Sequence, residues 1–142
     1  MTTPGLEILN RNVQITHEWI NELDAMLGWN DKVRSYRLLR VTLQTLRDCL
    51  PLAEIADFSA QMPTLLRGVF YEHWRPGAEK KRFNVEQFYA RLDEAFSQDP
   101  IEDMGDVVAI VFDFLSAKIS AGEISDVRHA LPVSIREVWQ HA

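Results

Sequence analysis

The sequence predicts an all-α fold: two tandem copies of a roughly four-helix unit packed into one helical bundle domain. Three observations lead there. Apolar residues recur at three- and four-residue spacing through most of the chain, prolines and capping residues interrupt those stripes at helix-length intervals, and one set of residues returns 69 positions later.

The recurrence is read without a gap. Glu54-Ile55-Ala56-Asp57, Met62-Pro63 and Arg67-Gly68-Val69-Phe70 return as Glu123-Ile124-Ser125-Asp126, Leu131-Pro132 and Arg136-Glu137-Val138-Trp139. The same register pairs Leu43 with Phe112, Leu46 with Leu115, Trp19 with Phe88 and Leu23 with Leu92. These matches predict a single domain over residues 1–142, with one unit at about 13–74, a basic linker at 75–83 and a second unit at about 84–142.

Each element follows from its own signals. Trp19, Leu23, Met26 and Leu27 share one face of a first helix, which Gly28 ends in a left-handed conformation. Asn30 is placed to cap a second helix carrying Tyr36, Leu39, Leu43, Leu46 and Leu50 on one stripe, and Pro51 stops it. A short third helix carries Leu52, Ile55, Phe58 and Met62, and Pro63 opens a fourth with Leu66, Val69, Phe70 and Trp74 inward. Arg75 to Arg82, with its Pro-Gly pair and clustered charge, reads as the linker.

In the second unit, Asn84 to Gln87 and Ser120 to Glu123 fit the capping box, in which a cap side chain and a residue three further on satisfy each other's free backbone N–H groups. Asp99-Pro100-Ile101-Glu102 has the order of a helix start. Asp106 to Leu115 is rich in β-branched residues and has the composition of a buried strand, but its partner stretch Ser35 to Leu46 is a good helix former, so helix is predicted for both. Its unbroken apolar character predicts a helix buried on most sides, the central strut of the fold.

Composition narrows the function classes. The net charge of −6 argues against sequence-independent binding of nucleic acid, which depends on neutralising phosphates. The single Cys49 cannot form an intrachain disulfide and reads as a small core residue. No apolar run reaches membrane-spanning length and no secretory leader is recognisable, so a cytoplasmic protein without membrane attachment is expected.

No catalytic, cofactor or metal signature emerges, so no cofactor is expected and the reading leans away from an enzyme. There is no Gly-x-Ser-x-Gly turn, phosphate-binding glycine loop or paired-cysteine motif. Asp126 and His129 stand at an i, i+3 ligand spacing, but the first unit has Ala60 where the histidine would be. Glu102, Asp103 and Asp106 suit a helix's positive end. His17, His73 and His141 have no recurring partner at ligand spacing.

Three constellations remain. Glu54, Asp57 and Arg67 recur as Glu123, Asp126 and Arg136, and each arginine is expected to reach back across the proline turn to an acid on the preceding helix, locking a corner. Arg34 and Arg37 occupy the positions that hold Asp103 and Asp106 in the second unit, and Arg37, Arg40 and Arg47 form a basic stripe; these opposite charges are expected either to face solvent or to meet between units or between chains. Tyr71, Trp74 and Arg75 form an aromatic and basic edge that only the first unit has.

Several stretches together resemble a known family. These are Glu18-Trp19 through Leu27-Gly28-Trp29-Asn30-Asp31, Tyr36-Arg37-Leu38-Leu39-Arg40-Val41-Thr42-Leu43, Arg67-Gly68-Val69-Phe70-Tyr71-Glu72-His73-Trp74, and Ile119 to Val127 with Leu131-Pro132. The chain resembles, from about residue 13 onward, the bacterial domain of unknown function numbered 2267. The resemblance implies an uncharacterised helical bacterial protein and carries no catalytic residues over. The function expected is therefore a non-catalytic module that binds an unidentified protein partner or itself. The alternative is a small-molecule or metal-binding protein, an enzyme included, with its site in the cleft between the two units.

Overall fold

A computed structural model describes residues 5–140, so His141 lies outside the described residues. Among these residues there are eight α-helices and no strand: α1 (Glu7–Leu27), α2 (Lys32–Asp48), α3 (Leu52–Ala60), α4 (Thr64–Tyr71), α5 (Val85–Ala95), α6 (Met104–Lys118), α7 (Ala121–Ala130) and α8 (Val133–Val138). The β-branched stretch of α6 is helical because Val107, Val108, Val111, Phe112, Phe114 and Leu115 bury two faces of a helix at once.

Prolines set three of the helix starts. Pro51, Pro63 and Pro132 each occupy the cap position, where a missing N–H loses nothing and the extended backbone turns the chain into the next helix. Helices α3 and α7 begin 69 residues apart, as do α4 and α8.

Gly28 ends α1 at φ +67°, its N–H donating to Asp24 O at 2.9 Å. The next corner differs from the sequence expectation. Asn30 itself lies at φ +51°, part of the reversal, and Asp31 supplies the cap by accepting from Arg34 N at 3.1 Å. The buried Asp24 carboxylate holds the corner from behind, accepting from Asp31 N at 3.0 Å and from Ser35 Oγ at 2.7 Å. Both hydrogen bonds favour the ionised form and hold Asp24 below its ordinary pKa. Met26, expected inside, is exposed.

The predicted helix start at Asp99 is also corrected. The chain stays irregular from Pro100 to Asp103 because Arg34 engages Asp99 and the carbonyls around it, while Ile101 tucks into the core. Asn84 and Gln87 make the complete capping box expected at α5.

The helices of the first half pack both on one another and on those of the second. Helix α1 packs on α2, α4 and α6; α5 packs on α2 and α8; α2 meets α6 at the centre; α3 lies against α7. Helix α2 shares the strut role expected of α6 alone, with Leu38, Leu39, Thr42, Leu43, Thr45 and Leu46 all fully buried. The core is aromatic at its ends: Phe112 stacks on Trp139 at 4.3 Å, and Phe58 meets Phe70 edge-on at 5.7 Å.

Candidate functional site

The corner arginines come first, because the structure revises their role. Arg67 donates from Nε to Ser59 O at 3.1 Å and from Nη2 to Met62 O at 3.1 Å. Arg136 donates from Nε to Arg128 O at 2.9 Å and from Nη2 to His129 O and Leu131 O at 3.1 and 3.0 Å. Both guanidinium groups thus cap the free carbonyls where the preceding helix ends. Neither pairs with an acid, and the expected links from Arg67 to Glu54 or Asp57, and from Arg136 to Glu123 or Asp126, are replaced by carbonyl contacts.

That leaves the acids without arginine partners, and the packing of α3 on α7 gathers them. One carboxylate oxygen each from Glu54, Glu123 and Asp126 lies within 4.8 Å of the others. Glu54 Oε1 and Glu123 Oε2 are both buried without a hydrogen-bond partner, and Glu123 as a residue is only 8 % exposed. Burial first, then a carboxyl–carboxyl hydrogen bond with Glu54, and then the charges of Glu54, Asp57 and Asp126 push the Glu123 pKa up to about 8. Two ionised carboxylates at such a separation repel by at least about 3.5 kcal/mol at an effective dielectric constant of roughly 20.

A single substitution of partners explains why Glu123 points there. As the third residue of a capping box it would bond back to Ser120 N, but Gln61 Oε1 accepts from that N–H at 2.8 Å while Gln61 Nε2 donates to Ser120 Oγ at 2.9 Å. Only the other half of the box forms, with Glu123 N donating to Ser120 Oγ at 3.3 Å. His129 does not join the group: its Nδ1 sits 2.7 Å from Ser125 O.

The charged residues expected at a surface divide. Arg34 approaches Asp99 Oδ2 at 2.7 Å as an ion pair without hydrogen-bond alignment, donates from Nη2 to Pro100 O at 3.1 Å, and lies 4.0 Å over the Trp29 ring. Opposite charges therefore meet within the chain, but through Asp99 rather than Asp103 or Asp106, which are exposed. Arg37 rests 5.3 Å from the Phe96 ring and Arg40 5.5 Å from Tyr36. Arg47 does not belong to an outward stripe: it is buried, with Nε on Asp48 at 2.9 Å and Nη1 donating to Phe70 O and Glu72 O, both at 2.8 Å.

The aromatic edge is half inside. Tyr71 OH meets Ser59 Oγ at 2.7 Å, and Trp74 sits 5.3 Å from the Tyr71 ring, just beyond the end of α4. Trp74 and the exposed Arg75 border an open cleft of about 350 Å³ with His73, Lys80 and Lys81. Cys49 is core, as expected, and burial pushes its thiol up to about 11.

One surface escaped the sequence reading. Leu6, Leu9, Val13, Thr16, Ile20, Leu23 and Leu27 run at alternating three- and four-residue spacing along α1 and the residue before it. That is the spacing of a helix–helix seam. The end of the stripe is covered, with Leu23 fully buried and Leu27 packed on the core. Its beginning is bare: Leu6, Leu9 and Val13 are 47, 59 and 46 % exposed, and Ile8 beside them is 61 % exposed. The signal was present in the sequence as this spacing, but only the structure separates the covered half from the bare one.

The model of the family described as Uncharacterized conserved protein (DUF2267) matches residues 16–138, most of the chain, and the chain belongs to that family. No curated protein matches it. No helix among the described residues is long and apolar enough to cross a membrane.

Proposed function

We propose that this member of the DUF2267 family is a non-catalytic helical module of the bacterial cytoplasm that acts by self-association through the bare half of α1. The observation that carries this reading is the seam of α1: one continuous apolar stripe is buried by the fold from Leu23 onward and uncovered at Leu6, Leu9 and Val13. Isolated exposed apolar residues, such as Val33, are ordinary on a protein surface; Leu6, Leu9 and Val13, in register along one face, make a continuous contact surface.

A second copy is the occupant that the flanks of the seam favour. The residues beside it are Asn10, Asn12 and His17, while Glu7, Arg11 and Glu18 stand away from it. Two such arms meet without like charges across the contact. The chain is further read as two copies of one unit, a reading supported by the 69-residue spacing of α3 with α7 and α4 with α8 and by the matching carbonyl clamps of Arg67 and Arg136. Nucleic acid remains disfavoured, since Arg34 and Arg47 are engaged within the chain.

Sedimentation of the full chain over a range of concentrations tests this. The wild type is expected to associate, Leu9→Glu with Val13→Glu to be monomeric, and Val33→Glu to behave as wild type. A wild type that stays monomeric at every concentration, or a double variant that associates equally well, would overturn self-association through this arm.

A further inference from the structure

We propose that Glu54, Glu123 and Asp126 form a binding site for a divalent cation of the hard, oxygen-seeking class, built at the contact of α3 with α7. Three carboxylate oxygens within 4.8 Å of one another match the mutual spacing of ligand atoms around one ion. An all-oxygen, all-anionic donor set selects calcium, magnesium or manganese over the metals that prefer nitrogen or sulfur.

An acidic cluster alone would carry little, because carboxylates in the first turn of a helix are common and complement its dipole. The second observation is Glu123 itself. It is more than nine-tenths buried, its Oε2 has no partner, and it belongs to the group that converges on Glu54 and Asp126. A buried carboxylate oxygen is expensive unless its charge is compensated, by a proton shared with Glu54 or by a bound cation that replaces that proton. No lysine or arginine does so: among the described residues none makes an ion pair with Glu54, Asp57, Glu123 or Asp126. The nearby arginines are committed to carbonyls, and the backbone N–H that Glu123 would otherwise serve is taken by Gln61.

The burial is graded in the way such a site needs. Glu123 is buried, Glu54 half-buried and Asp126 exposed, so the group opens to solvent on one side. Water can fill the remaining coordination positions from there. Asp57 stands close enough to act on Glu123 electrostatically and adds negative potential without being one of the three converging groups.

The test uses the full chain stripped with a chelator and titrated with Mn2+, followed by electron paramagnetic resonance of free Mn2+ and by calorimetry, with Ca2+ as a competitor. One Mn2+ per chain is expected, together with a rise in melting temperature on loading. Glu123→Gln and, separately, Glu54→Gln keep the shape of the cluster and are each expected to weaken Mn2+ by about tenfold or more, at least the loss caused by removing a merely supporting contact. Glu102→Gln, at the acidic entrance to α6, is expected to bind as wild type. Absence of Mn2+ binding by the wild type, or equal binding by folded Glu123→Gln and Glu54→Gln proteins, would overturn the proposal. So would a Glu123→Gln protein that gains stability while the wild type ignores Mn2+, since the cluster would then be a proton-sharing carboxyl pair.

Discussion

The corner between α3 and α4 and the corner between α7 and α8 solve the same problem with partly different residues. In both, a proline opens the second helix and an arginine from it clamps the carbonyls ending the first. The ends of the second helices differ. Carbonyl oxygens of Phe70 and Glu72 are held by Arg47 from α2, whereas Trp139 O is held by Arg128 from α7. Where α2 carries Arg47, the position 69 residues on is Ser116, which accepts from Trp139 Nε1 at 2.8 Å. What the fold requires is that these carbonyls be satisfied; which helix supplies the donor is free to vary.

The largest effect that would sharpen this comparison is at Arg47. Arg47→Met removes three charge-assisted bonds from a buried position, two to carbonyls and one to Asp48, and is expected to destabilise by about 3 kcal/mol, while Arg128→Met, half-buried with one such bond, is expected to lose about 1.5 kcal/mol. Urea denaturation measures both. Equal losses would mean that the two helix ends are held alike and that the distinction fails.

Next come the clamps. Arg136→Met is expected to destabilise by about 2 kcal/mol and Arg67→Met by about 1.5 kcal/mol, in line with three carbonyl partners against two. A double-mutant cycle of Arg67→Met with Asp57→Asn should show coupling near zero. Coupling above about 1 kcal/mol would restore the arginine–acid lock that the sequence suggested.

The smallest effect concerns Asp24, whose counterpart 69 residues on, Asp93, is exposed. Asp24 is held below its ordinary value of 3.8 by Ser35 and by Asp31 N. A depressed carboxylate contributes stability that is present above the unfolded pKa and is lost as pH falls through the folded one. The difference in melting temperature between wild type and Asp24→Asn should therefore shrink as the solution is acidified below about pH 4. A gap that stays constant into acid would mean that Asp24 acts only through the shape of its hydrogen bonds.

The fold was legible in the sequence wherever backbone chemistry is local. Pro51, Pro63, Gly28 and the Asn84–Gln87 pair marked their helix ends because each works through its own backbone or its neighbours'. Asp99 and Glu123 misled for the opposite reason. Each had the right local neighbours for a cap, and each was claimed from afar, Asp99 by Arg34 and the N–H that Glu123 would have served by Gln61. The candidate site was hidden by the recurrence itself. The recurrence of Glu54 and Asp57 as Glu123 and Asp126 pointed to separate structural roles, whereas the contact of α3 with α7 brings Glu54, Glu123 and Asp126 into one cluster. Matching positions in a sequence do not reveal whether the matched residues face each other.

The crossed packing of α1 on α6 and α5 on α2 bears on how the chain is made. A ribosome that has released α1 to α4 has released helices that already pack on one another, α1 on α2 and α4 and α3 on α4, while the faces that α5, α6 and α7 cover are still open. Those faces stay in water until α5 to α7 emerge, so the local contacts of the first half can form early while its completion depends on closure of a longer loop. The same arrangement makes two newly made chains interchangeable: the α5–α6 segment of one meets the surface on another that it would have met on its own. Exchange of that segment between chains forms no contact the monomer lacks, and the Arg75–Arg82 connection between α4 and α5 is the hinge about which it would turn.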